Sequence, residues 1–343
     1  MKPLKTLDAH AGGGPMRLVV DGFPAPRGQT MIERRDWAAR HADHLRRSLM
    51  LEPRGHADMC GAVLTEPVSP GSHAGLLFMN NEGYGEMCGH GIIAVTTMVL
   101  ERGLLMPGGD GATIVFDTPA GTIRARASAL AGGRASKPEG EPGDVRVERV
   151  SFLNVPSFVL HGGLTVKLGP RRVRADVAFG GAFYAIVDSE AAGLPIDAAH
   201  VPELRRAGME IKGAIDAARS IVHPLEPRLQ GMHGTIFTSP PHDDRADLRT
   251  AAVFATGAVD RSPSGTGAAA ILAVLDAMGL VGEDRPLVCE SVIGTRLAVR
   301  VAGRTAVGDY EAIVPEIEGS AWIVGEHTFF VDEADPLARG FAV

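Results

Sequence analysis

Apolar and polar positions fall in short strand-like blocks along most of this chain, interrupted by two long apolar stretches. Thr113-Ile114-Val115-Phe116 is a continuous, largely β-branched block. Thr122-Ile123-Arg124-Ala125-Arg126-Ala127 alternates apolar and polar, the period of a half-buried strand. The long stretches, residues 91–102 and 267–278, lack proline, are mostly apolar and run into Gly103 and Gly279. They predict helices closed by a glycine stop. The second is rich in Ala and Leu. The first carries Ile92, Ile93, Val95 and Thr96, β-branched residues that lower helix propensity, and reads as a helix chiefly through its match to the second. Both are expected to be buried on most faces. Residues 131–144, rich in Gly, Pro, Ser and Glu, read as a mobile surface loop.

The whole pattern occurs twice. Met59-Cys60-Gly61-Ala62-Val63-Leu64-Thr65-Glu66-Pro67 matches Met232-His233-Gly234-Thr235-Ile236-Phe237-Thr238-Ser239-Pro240 at an offset of 173 residues. Gly75-Leu76-Leu77-Phe78 matches Ala251-Ala252-Val253-Phe254 at 176, the offset that also relates Cys88 to Ser264. Asp117-Thr118-Pro119-Ala120-Gly121-Thr122 matches Glu290-Ser291-Val292-Ile293-Gly294-Thr295 at 173, and residues 13–21 echo 180–188 at 167. Matches in one order at nearly one offset indicate two copies of a whole domain, the period being far too long for a solenoid. The expected lobes are residues 1–150 with 323–343, carrying Cys88, and residues 151–322, carrying Ser264. Hinges are expected near Val150 and Trp322.

A chain of 343 residues with 45% hydrophobic composition suits about two soluble domains with ordinary cores. A net charge of -7 argues against nucleic acid as a partner, which calls for a basic face. Arg171-Arg172-Val173-Arg174 reads as a solvated patch. No apolar run is long enough to span a membrane, and residues 1–6 lack the apolar core of a signal peptide. The three cysteines, Cys60, Cys88 and Cys289, are an odd and sparse set that fits a reducing cytoplasm. Cys60 and Cys289 stand in apolar strand contexts and are expected in the core. His56, Asp58 and His233 lack compact ligand spacing, so no metal is expected. Gly12-Gly13-Gly14 is not a phosphate loop, since no Gly-Lys-Ser/Thr follows.

The chemistry concentrates where each long apolar stretch begins. One start reads Glu86-Met87-Cys88-Gly89-His90-Gly91, the other Asp260-Arg261-Ser262-Pro263-Ser264-Gly265-Thr266-Gly267. Each has a small nucleophilic side chain followed by Gly-x-Gly, but one is a thiol and the other a hydroxyl. Free backbone N–H groups and the positive dipole end gather at a helix start, which binds a carboxylate and favours a thiolate. Two such starts facing each other would grip one carboxylate and place Cys88 and Ser264 on opposite sides of its α-carbon. That pair holds one usable base and one very poor one. Ser264 also suits a helix N-cap, and Asp260 suits the turn around Pro263. Tyr84, Phe183 and His10 read as pocket residues or as structural ones.

Met87-Cys88-Gly89-His90-Gly91 and Asp260-Arg261-Ser262-Pro263 resemble motifs of the proline racemase superfamily. So do Asp8-Ala9-His10-Ala11-Gly12-Gly13, Pro53-Arg54-Gly55-His56, residues 290–295, and the tail with Ile317-Glu318-Gly319-Ser320-Ala321-Trp322 and Phe330-Val331-Asp332. The resemblance covers essentially the whole chain. It implies an α/β (α+β) fold of two similar lobes related by a pseudo-twofold axis, each a curved β-sheet around a central helix, as in proline racemase and diaminopimelate epimerase. It implies α-proton chemistry on proline-like amino acids without cofactor, metal or pyridoxal phosphate. Gly89, His90, Gly265 and Thr266 would surround the substrate carboxylate, and Asp260 would pair with the ring ammonium. A homodimer is expected from the resemblance alone. Racemases and 4-hydroxyproline epimerases of the family carry cysteine where this chain has Ser264. Members lacking that thiol, typically with threonine, are trans-3-hydroxy-L-proline dehydratases, whose pattern Asn81-Glu82-Gly83-Tyr84 also resembles. Elimination needs one base at the α-carbon, whereas racemisation needs two groups able to exchange a proton. Dehydration of trans-3-hydroxy-L-proline is the leading reading. Epimerisation of 4-hydroxyproline or racemisation of proline is the alternative, and a non-catalytic amino-acid-binding protein is the third.

Overall fold

The computed structural model describes residues 3–106, 113–130, 146–282 and 285–342; the surface loop expected at 131–144 lies outside the described residues. The chain divides into two compact units, Met1–Phe152 with Glu318–Val343, and Leu153–Ile317.

The first unit contains β1 (Leu4–Ala11), β2 (Gly14–Asp21), α1 (Met31–His41), α2 (Asp43–Met50), β3 (Cys60–Thr65) and β4 (Ala74–Asn80). It continues with α3 (Gly89–Glu101), β5 (Thr113–Thr118), β6 (Gly121–Leu130) and β7 (Arg146–Leu153). The second contains β8 (Ser157–Leu168), β9 (Arg171–Phe179), β10 (Phe183–Asp188), α4 (Ser189–Ala192), α5 (Val201–Ala218), β11 (Gly234–Ser239) and β12 (Leu248–Phe254). There follow β13 (Ala258–Val259), α6 (Gly265–Ala277), β14 (Leu287–Glu290), β15 (Arg296–Val307) and β16 (Tyr310–Gly319); β17 (Ala321–Phe329) returns to the first unit.

The duplication read from the sequence is present strand for strand. In the first unit β17, β1 and β2 run antiparallel, β2 is parallel to β3, β3 antiparallel to β4, β4 parallel to β5 and β5 antiparallel to β6. In the second, β8, β9, β10, β11, β12, β14 and β15 repeat that sequence of orientations. The hairpin pairing is one residue out of step with the sequence matches: Val63 stands opposite Leu77, whereas Ile236, the match of Val63, stands opposite Ala252, and Val253, the match of Leu77, stands opposite Thr235.

Each parallel neighbour needs a crossover, because a tight turn joins only antiparallel strands. The crossovers supply helices beyond the one prominent helix per copy that the pattern suggests. Between β2 and β3 lie α1 and α2. The first opens with a capping box in which Thr30 Oγ1 accepts from Glu33 N at 3.2 Å and Glu33 Oε2 accepts from Thr30 N at 3.2 Å. Between β10 and β11 lie α4 and α5. Leu204, Ala207, Gly208, Ile211 and Ile215 form the buried stripe of α5, spaced as an amphipathic helix requires. A buried arginine ties each crossover to its sheet. Arg17 on β2 pairs with Asp8 at 2.7 Å and donates to Leu49 O at 2.8 Å. On β12, Arg249 pairs with Glu290 and donates to Ile196 O at 2.7 Å.

The central helices are α3 and α6, each 13 residues long. Every residue from Gly89 to Val99 and from Gly265 to Val274 is buried, so both helices are enclosed on all sides rather than amphipathic. The β-branched run does not unwind α3. Thr96 and Thr97 turn their hydroxyls onto Ile92 O and Ile93 O at 2.7 and 3.0 Å, leaving only methyls facing the core. Both helices begin two residues before the expected start and end as expected, with Gly103 at φ 62° and Gly279 at φ 71°. Cys60 and Cys289 are buried and form no disulfide, and burial pushes Cys289 up to about 12. Among the described residues no helix is long and apolar enough to cross a membrane.

Gly91 and Gly267 seat these helices. A Cβ on Gly91 would lie 2.7 Å from both Met16 Cε and Phe78 Cε1, and one on Gly267 would lie 2.7 Å from Ile236 Cδ1. Gly91→Ala and Gly267→Ala should each lower unfolding free energy by about 1–3 kcal/mol through overpacking. Gly213→Ala, mid-α5 with open space around its Cβ, should instead raise it by about 0.5–1 kcal/mol. Urea unfolding of the three variants measures both.

Candidate active site

The first helix start is set by a clamped turn. Asn80 Oδ1 accepts from Glu82 N and Gly83 N at 2.8 and 3.0 Å, and Asn81 Nδ2 donates to Met50 O and His56 O at 2.7 and 2.9 Å. Arg46 donates to the carbonyls of both asparagines. Tyr84 packs against the core cluster that includes Leu49, Met50 and Leu77, with its hydroxyl buried and unbonded, and burial pushes the phenol well above its ordinary value. Glu86 pairs with Arg35 at 3.1 Å. The chain reaches Cys88 in an extended conformation, φ -138°, as the N-cap of α3. Cys88 is half-buried, its Sγ 3.5 Å from His90 Nε2 and 3.7 Å from Nδ1, and His90 is 5% exposed. Cys88, Gly89 and His90 thus stand together where α3 presents amides that no intrahelical carbonyl can accept.

His10 has partners within its own unit. Its Nδ1 accepts from Gly13 N at 3.3 Å, and its ring stacks on Trp322 at 5.3 Å.

The second start gathers more polar groups. Asp260, Ser262, Ser264 and Thr266 are all buried. Ser262 donates to Asp260 Oδ1 through both its backbone N and its Oγ, each at 2.8 Å. Ser262 Oγ in turn accepts from Ser264 N at 3.2 Å. Ser264 is the N-cap of α6, its Oγ accepting from Gly267 N at 3.3 Å, so the capping role read from the sequence is present. Its backbone lies at φ 64°, a region that non-glycine residues seldom occupy. Thr266 Oγ1 is 2.8 Å from Tyr184 Oη on β10.

Two contributors to this cluster, Ser262 and Tyr184, are not singled out by the sequence as site residues, and His233 figures there only as a rejected metal ligand. Ser262 carries a local signal, since Asp, Ser and Ser at alternate positions suit consecutive side-chain turns onto the amide two residues ahead. His233 occupies the place that Cys60 holds in the first copy. Tyr184 carries no local signal; its partner is 82 residues away. The offset that relates Cys88 to Ser264 also sets Tyr84 against Asp260 and Glu86 against Ser262, so the two starts differ at every polar position. Among the described residues no group of three His, Cys, Asp or Glu side chains could hold a metal ion.

One carboxylate per unit pins a loop in equivalent fashion. Asp117 accepts from Val68 N and Ser69 N, both at 2.8 Å, and Glu290 from His242 N and Asp243 N at 2.8 and 3.3 Å. Burial opposes ionisation of both. The backbone donors outweigh it, aided by Ser72 at Asp117 and Arg249 at Glu290, and hold both carboxyls below the usual range.

His233 stacks on Phe254 at 5.5 Å and meets Tyr184 edge-on at 5.4 Å. Burial, then the Lys212 charge, push its imidazole down to about 4 against the opposing pull of Asp260. The unfolded chain therefore takes up this proton first, near the ordinary value of 6.5. Stability from this group is complete above pH 6.5 and falls as the pH drops toward 4, by at most about 1.4 kcal/mol per pH unit. His233→Gln should flatten the urea-unfolding free energy over that window relative to wild type and leave the slope above pH 7 unchanged.

Residues 6–342 match the family model described as proline racemase. The chain is 42% identical over 336 residues to a Bacillus cereus protein named trans-3-hydroxy-L-proline dehydratase, covering 98% of this chain and 97% of that one. It is 41% identical to a Burkholderia multivorans protein named 3-hydroxyproline 2-epimerase, covering 100% and 98%. The crystal structure of an Agrobacterium vitis hydroxyproline epimerase with bound trans-4-hydroxy-L-proline superposes with a TM-score of 0.90 at 30% identity, covering 100% of this chain and 95% of that one. With its two like α+β units and both helix-start motifs in place, this chain belongs to the proline racemase family.

Proposed function

We infer that this protein is a cofactor-independent trans-3-hydroxy-L-proline dehydratase that forms Δ1-pyrroline-2-carboxylate. The observation that carries the reading is the unequal pair of helix N-caps, a thiol at Cys88 and a hydroxyl at Ser264. It is supported by 42% identity over the full length to a protein named for that activity.

In this reading the first amides of α3 and α6, at Gly89, His90, Gly265 and Thr266, hold the substrate carboxylate. Asp260 pairs with the ring ammonium, since an unpaired charge is strongly unfavourable in a buried site. The positive end of α3 favours the thiolate of Cys88, which removes the α-proton. The amides around the carboxylate stabilise the enolate-like charge that develops there. That electron pair then forms the C2–C3 double bond as the C3–O bond breaks; the hydroxyl takes the Ser264 proton and departs as water, the proton gained by Cys88 is released and Ser264 is reprotonated from solvent, and the enamine tautomerises to the cyclic imine. Ser264 hydrogen-bonds the leaving hydroxyl. Its oxygen accepts the Gly267 N–H with one lone pair, which leaves its own proton available to the substrate.

A second reading, epimerisation at C2, is favoured by the 41% identity to the protein named 3-hydroxyproline 2-epimerase. It requires Ser264, or a water beside it, to return a proton to the opposite face. A serine hydroxyl is far less acidic than a thiol and is a poor partner for that step.

Proton NMR in D2O separates the two, with trans-3-hydroxy-L-proline, trans-4-hydroxy-L-proline and L-proline as substrates. Conversion of the 3-hydroxy compound to the cyclic imine, with the other two unchanged, is expected. Epimer carrying deuterium at Cα, without imine, would replace the dehydratase reading with the epimerase one. Cys88→Ala should lower turnover of 3-hydroxyproline by at least about 100-fold, since it removes the base.

A further inference from the structure

We propose that Ser262 is a positioning residue for this reaction, aiming the Asp260 carboxylate and holding Ser264 in its left-handed backbone conformation. The inference rests on the reading of Asp260 and Ser264 given above.

The direction of each hydrogen bond is fixed. An amide can only donate, so the Ser264 N–H occupies a lone pair of Ser262 Oγ at 3.2 Å. The Ser262 hydroxyl proton then goes to Asp260 Oδ1 at 2.8 Å, and the Ser262 amide donates to the same oxygen at 2.8 Å. One side chain, 1% exposed, thus joins the carboxylate assigned to the substrate ammonium to the backbone of the residue that caps α6. Both donors fall on Oδ1, which fixes the carboxylate plane and the direction in which Oδ2 points.

The first unit serves as an internal control. Its counterpart of Ser262 is Glu86, whose carboxylate is turned to Arg35 instead. Cys88 there lies at φ -138°, in ordinary extended backbone, whereas Ser264 lies at φ 64°. The second start adopts the costly conformation where a serine hydroxyl stands ready to accept its amide. Thr250 Oγ1, donating to Pro263 O at 3.3 Å, steadies the intervening residue but touches neither Asp260 nor the Ser264 amide. Ser262 hydrogen-bonds to both.

The test combines crystal structures with kinetics, so that loss of the positioning claim and loss of the dehydratase reading give different results. In a crystal structure of Ser262→Ala, the Ser264 φ should return to negative values and the Asp260 carboxylate should rotate away from its wild-type orientation. An unmoved Ser264 and Asp260 would overturn the proposal, whatever reaction the enzyme catalyses. In turnover assays on 3-hydroxyproline, Ser262→Ala should lower kcat/KM by about 10- to 100-fold, most of it as a raised KM, and Ser262→Thr, which keeps the hydroxyl, should recover to within about 3-fold. A purely structural role would instead remove active molecules, lowering kcat at unchanged KM. In an Asp260→Asn background the Ser262→Ala change should cost less than about 3-fold, because coupled residues are not additive. Full multiplication of the two losses would also overturn the proposal. Should the alanine variant fail to fold, Ser262→Cys, nearly isosteric with weaker hydrogen bonding, takes its place in every arm. If the wild type leaves 3-hydroxyproline intact but exchanges the α-proton of proline or 4-hydroxyproline for deuterium, the dehydratase reading fails. The same variant series is then read by exchange rate.

Discussion

Each unit is built around a helix that has no solvent face, and that constraint orders the rest. A helix enclosed on every side needs a sheet that curves round it, and its first amides, which have no acceptor within the helix, must end at something polar. Glycine at the third helical position lets the start press onto the sheet at contact distances a Cβ would forbid, near Met16 and Phe78 in one unit and Ile236 in the other. Outward side chains are absent, so the chemically distinctive groups are left at the one place where backbone polarity goes unmatched. A helix start of this kind is a ready anion site, and burial of the helix already creates it.

Duplication supplied two scaffolds with one topology, and divergence then acted on the residues just before the helices. Where the second unit has Asp260, Ser262 and Ser264 linked through hydrogen bonds at 2.8 and 3.2 Å, the first has Tyr84 sunk into a core cluster, Glu86 drawn to Arg35, and Cys88 beside His90. The supporting structure diverged far less. The loop-pinning carboxylate recurs at Asp117 and Glu290, and each unit ties its crossover with an arginine at a different place, Arg17 on β2 and Arg249 on β12. Partial loss of a buried ion pair such as Arg17–Asp8 or Arg249–Glu290 leaves a charge uncompensated, which is strongly destabilising.

What the sequence alone determined is whatever depends on near neighbours. Glycine punctuation located the ends of α3 and α6 to within two residues, the repeat offsets paired β3 with β11 and Asp117 with Glu290, and the two Gly-x-Gly starts exposed Cys88 and Ser264 as an unlike pair. Family membership followed from those same short motifs. The stripe of α5 and the capping box of α1 were equally local and were there to be read. Tertiary structure decided the rest, because it depends on partners distant in sequence. The run of Ile92, Ile93, Val95, Thr96 and Thr97 is helical against its propensity because complete burial outweighs a few tenths of a kcal/mol per residue. Tyr84 turns into the core and His10 onto Trp322, choices that rest on packing surfaces formed by segments far away in the chain. The His233 imidazole is held neutral by enclosure between Phe254 and Tyr184, a dielectric effect that no local pattern encodes. The left-handed backbone of Ser264 likewise exists only once β13 and α6 have fixed both ends of the turn and the Ser262 hydroxyl has met the Ser264 amide.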